Sequence, residues 1–172
     1  HILSINGVLD NNFDNANVSK KELLAVSSKA FCVINDEIED KMRASVEKAR
    51  LDGDSVGGVI ECAVVGVPVG IGANIFSTVE GHISSALFGV PAVKGVEFGA
   101  GFDFAKMTGY EANDTYSILN GNVKINKNNN GGVLGGMTTG APIIVRAVVK
   151  PTPSISKAQK SVNLQKMTEE EL

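Results

Sequence analysis

Apolar positions fall in short runs, separated by polar, glycine-rich or asparagine-rich stretches. "HILSINGV" alternates weakly and predicts a strand, with "LDNNFDNANV" as the polar loop after it. Ser19 and Glu22 have the spacing of a capping box and open a short helix, "SKKELLAVSSKAF". Asn35 or Asp36 caps a longer helix in which Ile38, Met42 and Val46 recur every fourth residue, and Gly53 ends it. Its charges (Glu39, Lys41, Glu47, Lys48, Arg50) read as a solvated face. "DSVGGVIECAVVGVPVG" is β-branched with glycines at bulge positions and predicts a strand-pair element. Ser77 and Glu80 predict a second capping box and a helix that Pro91 stops.

"AVKGVEFG" then returns as a strand and "AGFDFAKMTG" as a helical turn. Residues 111–130 are polar and asparagine-rich and predict a mobile loop. After the glycine stretch of 131–140, "APIIVRAVVK" is a strong strand, followed by the stiff "PTPSI". Thr168 with Glu171 announces one more helix at "MTEEEL". Strands and helices alternate without regular βαβ spacing, so the expected class is α+β in one domain spanning 1–172. No internal repeat is visible. The start at His1, without Met or a leader, and the helix signal at the end both read as cut edges of a longer chain.

Composition narrows the function classes. Hydrophobic residues are 43% and charged residues 20%, ordinary for a globular core, and the net charge is −3 with pI near 5.4. That balance, with no basic stripe, argues against nucleic acid or a membrane as the partner. Cys32 and Cys62 lie in apolar contexts and read as small buried hydrophobes of a reduced cytoplasm, not as a disulfide or a metal site. His82 reads as packed or exposed on its helix, and His1 as an end effect. No Gly-x-Ser-x-Gly elbow and no carboxylate pair for acid–base work stand out, so no catalytic residue is assigned within the chain.

Two stretches suggest ligand chemistry. Five glycines in 131–140 mean either tight turns or a backbone that must approach a ligand. The stretch is no P-loop, because Met137, Thr138 and Thr139 follow the second glycine pair; "PVGIGAN" is no dinucleotide fingerprint, because Ile75 stands at the third glycine position. In "KPTPSI", Lys150 ends a strand, Pro151 and Pro153 stiffen the backbone, and Thr152 and Ser154 place hydroxyls at alternate positions. That arrangement is a phosphate clamp or a solvated lysine before a proline-rich edge.

"DSVGGVIE", "GVPVGIG", "PAVKGVEFGAGF", "NNNGGVLGGMTTGAPIIVRAVVKPTPSI" and "QKSV" occur together in an order and spacing that resemble chorismate synthases. The likeness runs from Asp54 to Val162 and more loosely over the flanks. It implies a partial β-α-β sandwich with antiparallel sheets and helices between them. It also implies a cytoplasmic homotetramer that uses reduced FMN to eliminate phosphate from 5-enolpyruvylshikimate 3-phosphate. Carried over by residue, the flavin contacts are Pro91 and Ala92 (many members have Asn at the first), Gly135, and Lys150, Pro151, Thr152, Pro153 and Ser154. The family's two catalytic histidines, its Gly-Arg-His-Asp-Pro segment and its arginine cluster have no counterpart in these residues, so the chain alone is expected not to turn over. A non-catalytic flavin- or phosphate-binding module and a structural α+β domain remain open beside this reading.

Overall fold

A computed structural model describes residues 1–73 and 75–171; Asn74, in the stretch compared with a dinucleotide fingerprint, and Leu172, the end of the expected last helix, lie outside it. The stretch read as one strand, residues 1–8, belongs to a hairpin that runs on to Leu9. Strand β1 (Ile2–Ile5) and β2 (Val8–Leu9) pair through Asn6-Gly7, both with positive φ (48° and 79°). An Asn-Gly pair favours this two-residue turn because its twist matches that of the strands.

Helix α1 (Lys20–Ser27) begins as expected: the Ser19 side chain accepts from the Glu22 amide while the Glu22 carboxylate accepts from the Ser19 amide. It ends before the predicted Phe31. Helix α2 (Glu37–Leu51) follows Asp36, although the side chain that caps it is Asn35, whose Oδ1 accepts from the Glu37 amide at 3.0 Å. Its every-fourth-residue stripe buries Met42 completely and leaves Val46 largely exposed. Gly53 closes the helix with φ 65°, a conformation glycine adopts without a Cβ clash.

The expected strand pair at 54–70 is the single strand β3 (Gly58–Val64); beyond it Gly66 turns at φ 81° and the chain leaves the sheet. Helix α3 (Val79–Phe88) starts one residue later than the second capping box predicted. Thr78, not Ser77, accepts from the Gly81 amide, while the Ser77 carbonyl is taken by the Ala73 amide. Next come β4 (Val93–Phe98), a 3₁₀ turn over Gly101–Lys106 and the one-turn α4 (Gly109–Ala112). Much of the segment read as a loop is a second Asn-Gly hairpin, β5 (Tyr116–Leu119) and β6 (Asn122–Ile125), with Asn120 and Gly121 at φ 51° and 76°.

The glycine stretch folds into a small hairpin, β7 (Val133–Leu134) and β8 (Met137–Thr138), before β9 (Ile143–Val149). The last two elements, β10 (Lys160–Asn163) and β11 (Thr168–Glu171), pair with each other, so the predicted terminal helix is a strand. Four residues with a cap signal cannot nucleate a helix alone. Here Asn163 Oδ1 accepts from the Gln165 and Lys166 amides and forms the turn that returns the chain onto β10.

One antiparallel five-stranded sheet, in the order β2-β1-β3-β9-β4, organises the α+β fold. The β3–β9 register runs unbroken from Gly58↔Val149 to Val64↔Ile143, and β4 pairs on the other side of β9. Opposed residues share a face, so Ala63 and Ile144 lie together. There Ile144, Phe13, Val18 and Val26 form a core against which Cys32 and Ala63 pack. Cys62 alternates onto the other face beside Ile60 and Val64 and is exposed, unlike the buried hydrophobe expected. Partial burial and then the Glu61 charge push its thiol pKa up. Both cysteines are free, and no helix among the described residues is long and apolar enough to cross a membrane.

Candidate functional site

Strands β3, β4 and β9 converge where β9 ends, and their register brings two of the singled-out stretches together. Val149 lies opposite both Gly58 and Val93. One residue on, the Lys150 amide donates to the Ala92 carbonyl at 2.9 Å. Ala92 sits at φ 70°, a conformation costly for a residue with a side chain and therefore held by its surroundings. Pro91, Ala92 and the segment Lys150–Ser154 thus form one corner. The Lys150 side chain is exposed, and its ammonium has no acidic partner or hydrogen bond among the described residues. The hydroxyls of Thr152 and Ser154 also hold no hydrogen bond among those residues. A cation and two donors left free on a proline-stiffened backbone fit an anionic group.

The segment is held from behind by the turn that follows α2. Ser55 Oγ donates to the Thr152 carbonyl at 2.6 Å, and the Ser156 amide donates to the Gly53 carbonyl at 2.9 Å. Lys157 Nζ is bound by both Asp52 and Asp54, the latter at 2.8 Å. A Cβ at Gly57 would lie 2.5 Å from the Val149 carbonyl oxygen and 2.9 Å from Pro151 Cδ, so only glycine permits this approach. The sequence marked Gly53 only as a helix end and Asp54, Ser55 and Gly57 only as part of "DSVGGVIE"; their partners lie about a hundred residues away, and nothing local marks the contacts.

Hydrogen bonding from Lys157, and then from the Ser55 amide, holds the Asp54 carboxyl below its ordinary value of 3.8. Asp52 and then Asp54 raise the Lys157 ammonium above 10.5. A depressed carboxyl contributes stability that is complete above 3.8 and lost as pH falls through its lower folded value. The raised ammonium contributes below 10.5 and is lost as pH rises through its higher folded value. The melting-temperature gap between the protein and its Lys157→Met variant is therefore expected to be flat through neutral pH and to close well below 3.8. A gap unchanged at acid pH would mean that the carboxylates do not hold Lys157.

Gly135 lies elsewhere. The β7–β8 hairpin precedes the start of β9, and Lys150 follows its end, so on the order of 20 Å of strand separates them. Within the hairpin most glycines serve contacts inside the chain. A Cβ would lie 2.4 Å from the Gly99 nitrogen at Gly131, 2.4 Å from the Pro142 oxygen at Gly132, and 2.6 Å from the Ala73 oxygen at Gly136. Of these glycines only Gly135, the tip, has a Cβ position that meets nothing within 4 Å among the described residues. Buried Asn128 ties the base, donating to the Asn15 and Pro142 carbonyls and accepting from the Gly132 amide. Asp114 accepts from the Asn129 and Asn130 amides.

Other candidates are placed plainly. His82 is exposed on α3. His1 is no end effect in its side chain: it is buried, with Nε2 3.1 Å from Glu61 Oε1 and Nδ1 3.4 Å from Asp10 Oδ2, and its ring packs edge-on to Phe13. All three arginines are occupied: Arg43 with Glu39 and the Phe31 ring, Arg50 with Glu47, and Arg146 with Glu97 and the Gly99 carbonyl.

Comparison with known proteins places this geometry. A family model for chorismate synthase matches residues 1–172. The chain is 50% identical to a chorismate synthase of Thermococcus gammatolerans over 155 residues, which is 90% of this chain and 43% of that protein. It is 41% identical to one of Lancefieldella parvula, over all of this chain and 48% of that protein. A crystal structure of a chorismate synthase superposes with a TM-score of 0.79 at 29% identity, covering 89% of this chain and 48% of the other. The chain spans less than half the length of these relatives.

Proposed function

Because the chain belongs to the chorismate synthase family, we propose that it supplies the flavin-holding part of a carbon–oxygen lyase. The reaction is elimination of phosphate and a proton from 5-enolpyruvylshikimate 3-phosphate to give chorismate, in the biosynthesis of aromatic compounds. The observation that carries this reading is the corner where the Lys150 amide bonds the Ala92 carbonyl, with the Lys150 ammonium and the Thr152 and Ser154 hydroxyls unpaired among the described residues.

Reduced FMN, when bound, supplies a transient electron to the breaking C–O bond without net redox change. The residues of this chain bind and orient. Lys150 neutralises the phosphate of the cofactor, and Thr152 and Ser154 donate to it. Pro151 and Pro153 keep that stretch from collapsing, and the backbone at Pro91 and Ala92 would be a further contact to the flavin. Gly135, a strand's length from that corner, is a separate proposed contact and would meet a flat ring only if one lay at the hairpin tip. With Arg43, Arg50 and Arg146 already paired, the substrate's carboxylates and the proton-transfer groups are assigned to the remaining length of the relatives. The working form is a cytoplasmic homotetramer, and this chain by itself does not turn over.

Anaerobic titration with reduced FMN tests the reading. Lys150→Ala is expected to weaken binding roughly tenfold, about 1.4 kcal/mol, near the value of a hydrogen bond to a charged group. Hydrogen exchange across residues 111–130 is expected to slow when the cofactor binds. Unchanged affinity in the variant removes Lys150 from the site; no binding by the unmodified protein favours a structural domain. Binding that persists without any phosphate release in the assembled longer protein favours a non-catalytic flavin module.

A further inference from the structure

We infer that Ser55 and Lys157 are positioning residues for the cofactor segment, an inference that rests on the flavin reading above. Neither is offered as a contact to the cofactor. Ser55 Oγ grips the Thr152 carbonyl at 2.6 Å, in the middle of the segment that would meet the phosphate. Lys157 fixes the far end through Asp52 and Asp54, and the Ser156 amide bonds the Gly53 carbonyl between them. Gln159 Nε2 adds a bond to the Pro153 carbonyl at 3.2 Å.

The near end is fixed by the Lys150 amide on Ala92 and by the bare backbone of Gly57 against Val149 and Pro151. A stretch with two prolines and no sheet partner of its own is therefore pinned at both ends and at its centre. Proline fixes φ but leaves ψ free, so the direction of Lys150, Thr152 and Ser154 depends on these outside bonds. A binding segment ordered before its ligand arrives loses less entropy on binding. The turn at Asp52–Gly57 carries that order, which gives the "DSVGG" stretch a role that neither its glycines nor its strand pattern disclosed.

The test is a mutant cycle on reduced-FMN affinity, with melting temperature followed in parallel. Ser55→Ala and Lys157→Met are each expected to weaken binding about two- to fivefold, the effect of one modest polar bond. Lys157→Arg, which can still bridge both carboxylates, is expected to restore affinity. The effects are expected to be non-additive: Lys150→Ala combined with Lys157→Met should bind more tightly than the two separate losses sum to, because part of the clamp's effect acts through Lys150 and the rest through Thr152 and Ser154. A purely structural role would lower the melting temperature in both backgrounds and leave affinity unmoved. If Lys150→Ala weakens binding while Ser55→Ala and Lys157→Met do not, or if the losses simply add, the positioning role is overturned and the flavin reading stands. If the unmodified protein does not bind reduced FMN, both fall together.

Discussion

Replacing Glu61 with alanine is expected to remove about 3–5 kcal/mol of stability, because it leaves two buried polar partners unpaired at about 1–3 kcal/mol each and opens a void. Glu61 is 1% exposed in the middle of β3. Its Oε1 accepts from the Phe13 amide at 2.9 Å and faces His1 Nε2 at 3.1 Å, while Asp10, also buried, stands on the other side of the imidazole. Asp10 in turn accepts from the Ile34 and Asn35 amides. One carboxylate therefore joins β3, the start of β1, and the Asp10–Phe13 loop that carries part of the core. Without it the Phe13 amide and His1 Nε2 are left buried and unpaired. The other oxygen, Oε2, is buried without a hydrogen-bond partner among the described residues. Glu61→Gln keeps an oxygen for the Phe13 amide and is expected to cost about 1 kcal/mol, roughly one neutral hydrogen bond. Urea unfolding with unchanged m-values measures both. A Glu61→Ala variant within about 1 kcal/mol of the parent would show that the cluster does not hold these elements together.

That cluster shows where reading the chain by pattern stops. Local rules worked where a few adjacent residues decide the outcome. Ser19 with Glu22 caps α1, Met42 lies on the buried stripe of α2, and the run before Lys150 is the inner strand β9. Asn6-Gly7 and Asn120-Gly121 were equally local signals for hairpins, but polar neighbours made both stretches look like loop or lone strand. The frame of α3 slipped by one residue because Ser77 and Thr78 can both cap, and only the tertiary bond from Ala73 to the Ser77 carbonyl decides between them. Thr168 failed as a cap because β10 offered a strand partner. Glu61 meets Phe13 and His1 from 48 and 60 residues away, so nothing in "VIECAVV" marks a carboxylate that three elements share. At the candidate site, family resemblance located Lys150 and Ala92, and the β4–β9 register brings them together. What holds the segment in place, Ser55 and Lys157, follows from contacts about a hundred residues apart.

The glycines separate the two explanations for their clustering by substitution. Gly99 has φ 55°, and a Cβ there would lie 2.0 Å from the Asn129 oxygen and 2.4 Å from the Gly131 nitrogen. Both obstacles are backbone, and Asn129 is itself tied to Asp114, so neither can step aside. Gly99→Ala is expected to cost about 4 kcal/mol or more, or to prevent folding, because overlap adds to left-handed strain. Gly135 has φ 60° but no neighbour within 4 Å of a Cβ among the described residues, so alanine meets the strain alone, about 1–2 kcal/mol. The two substitutions differ in a second way. Gly99→Ala acts through the fold, so any folded fraction should bind reduced FMN normally. Gly135→Ala should leave a folded protein whose flavin affinity falls about tenfold or more if a ring lies against the hairpin tip, since the added methyl occupies the contact surface. Thermal melts and anaerobic titrations of both variants read the two effects apart. Equal flavin affinity in Gly135→Ala and the parent would make the tip a turn like the others, and would confine the cofactor to the corner built by Ala92 and Lys150, a strand's length away.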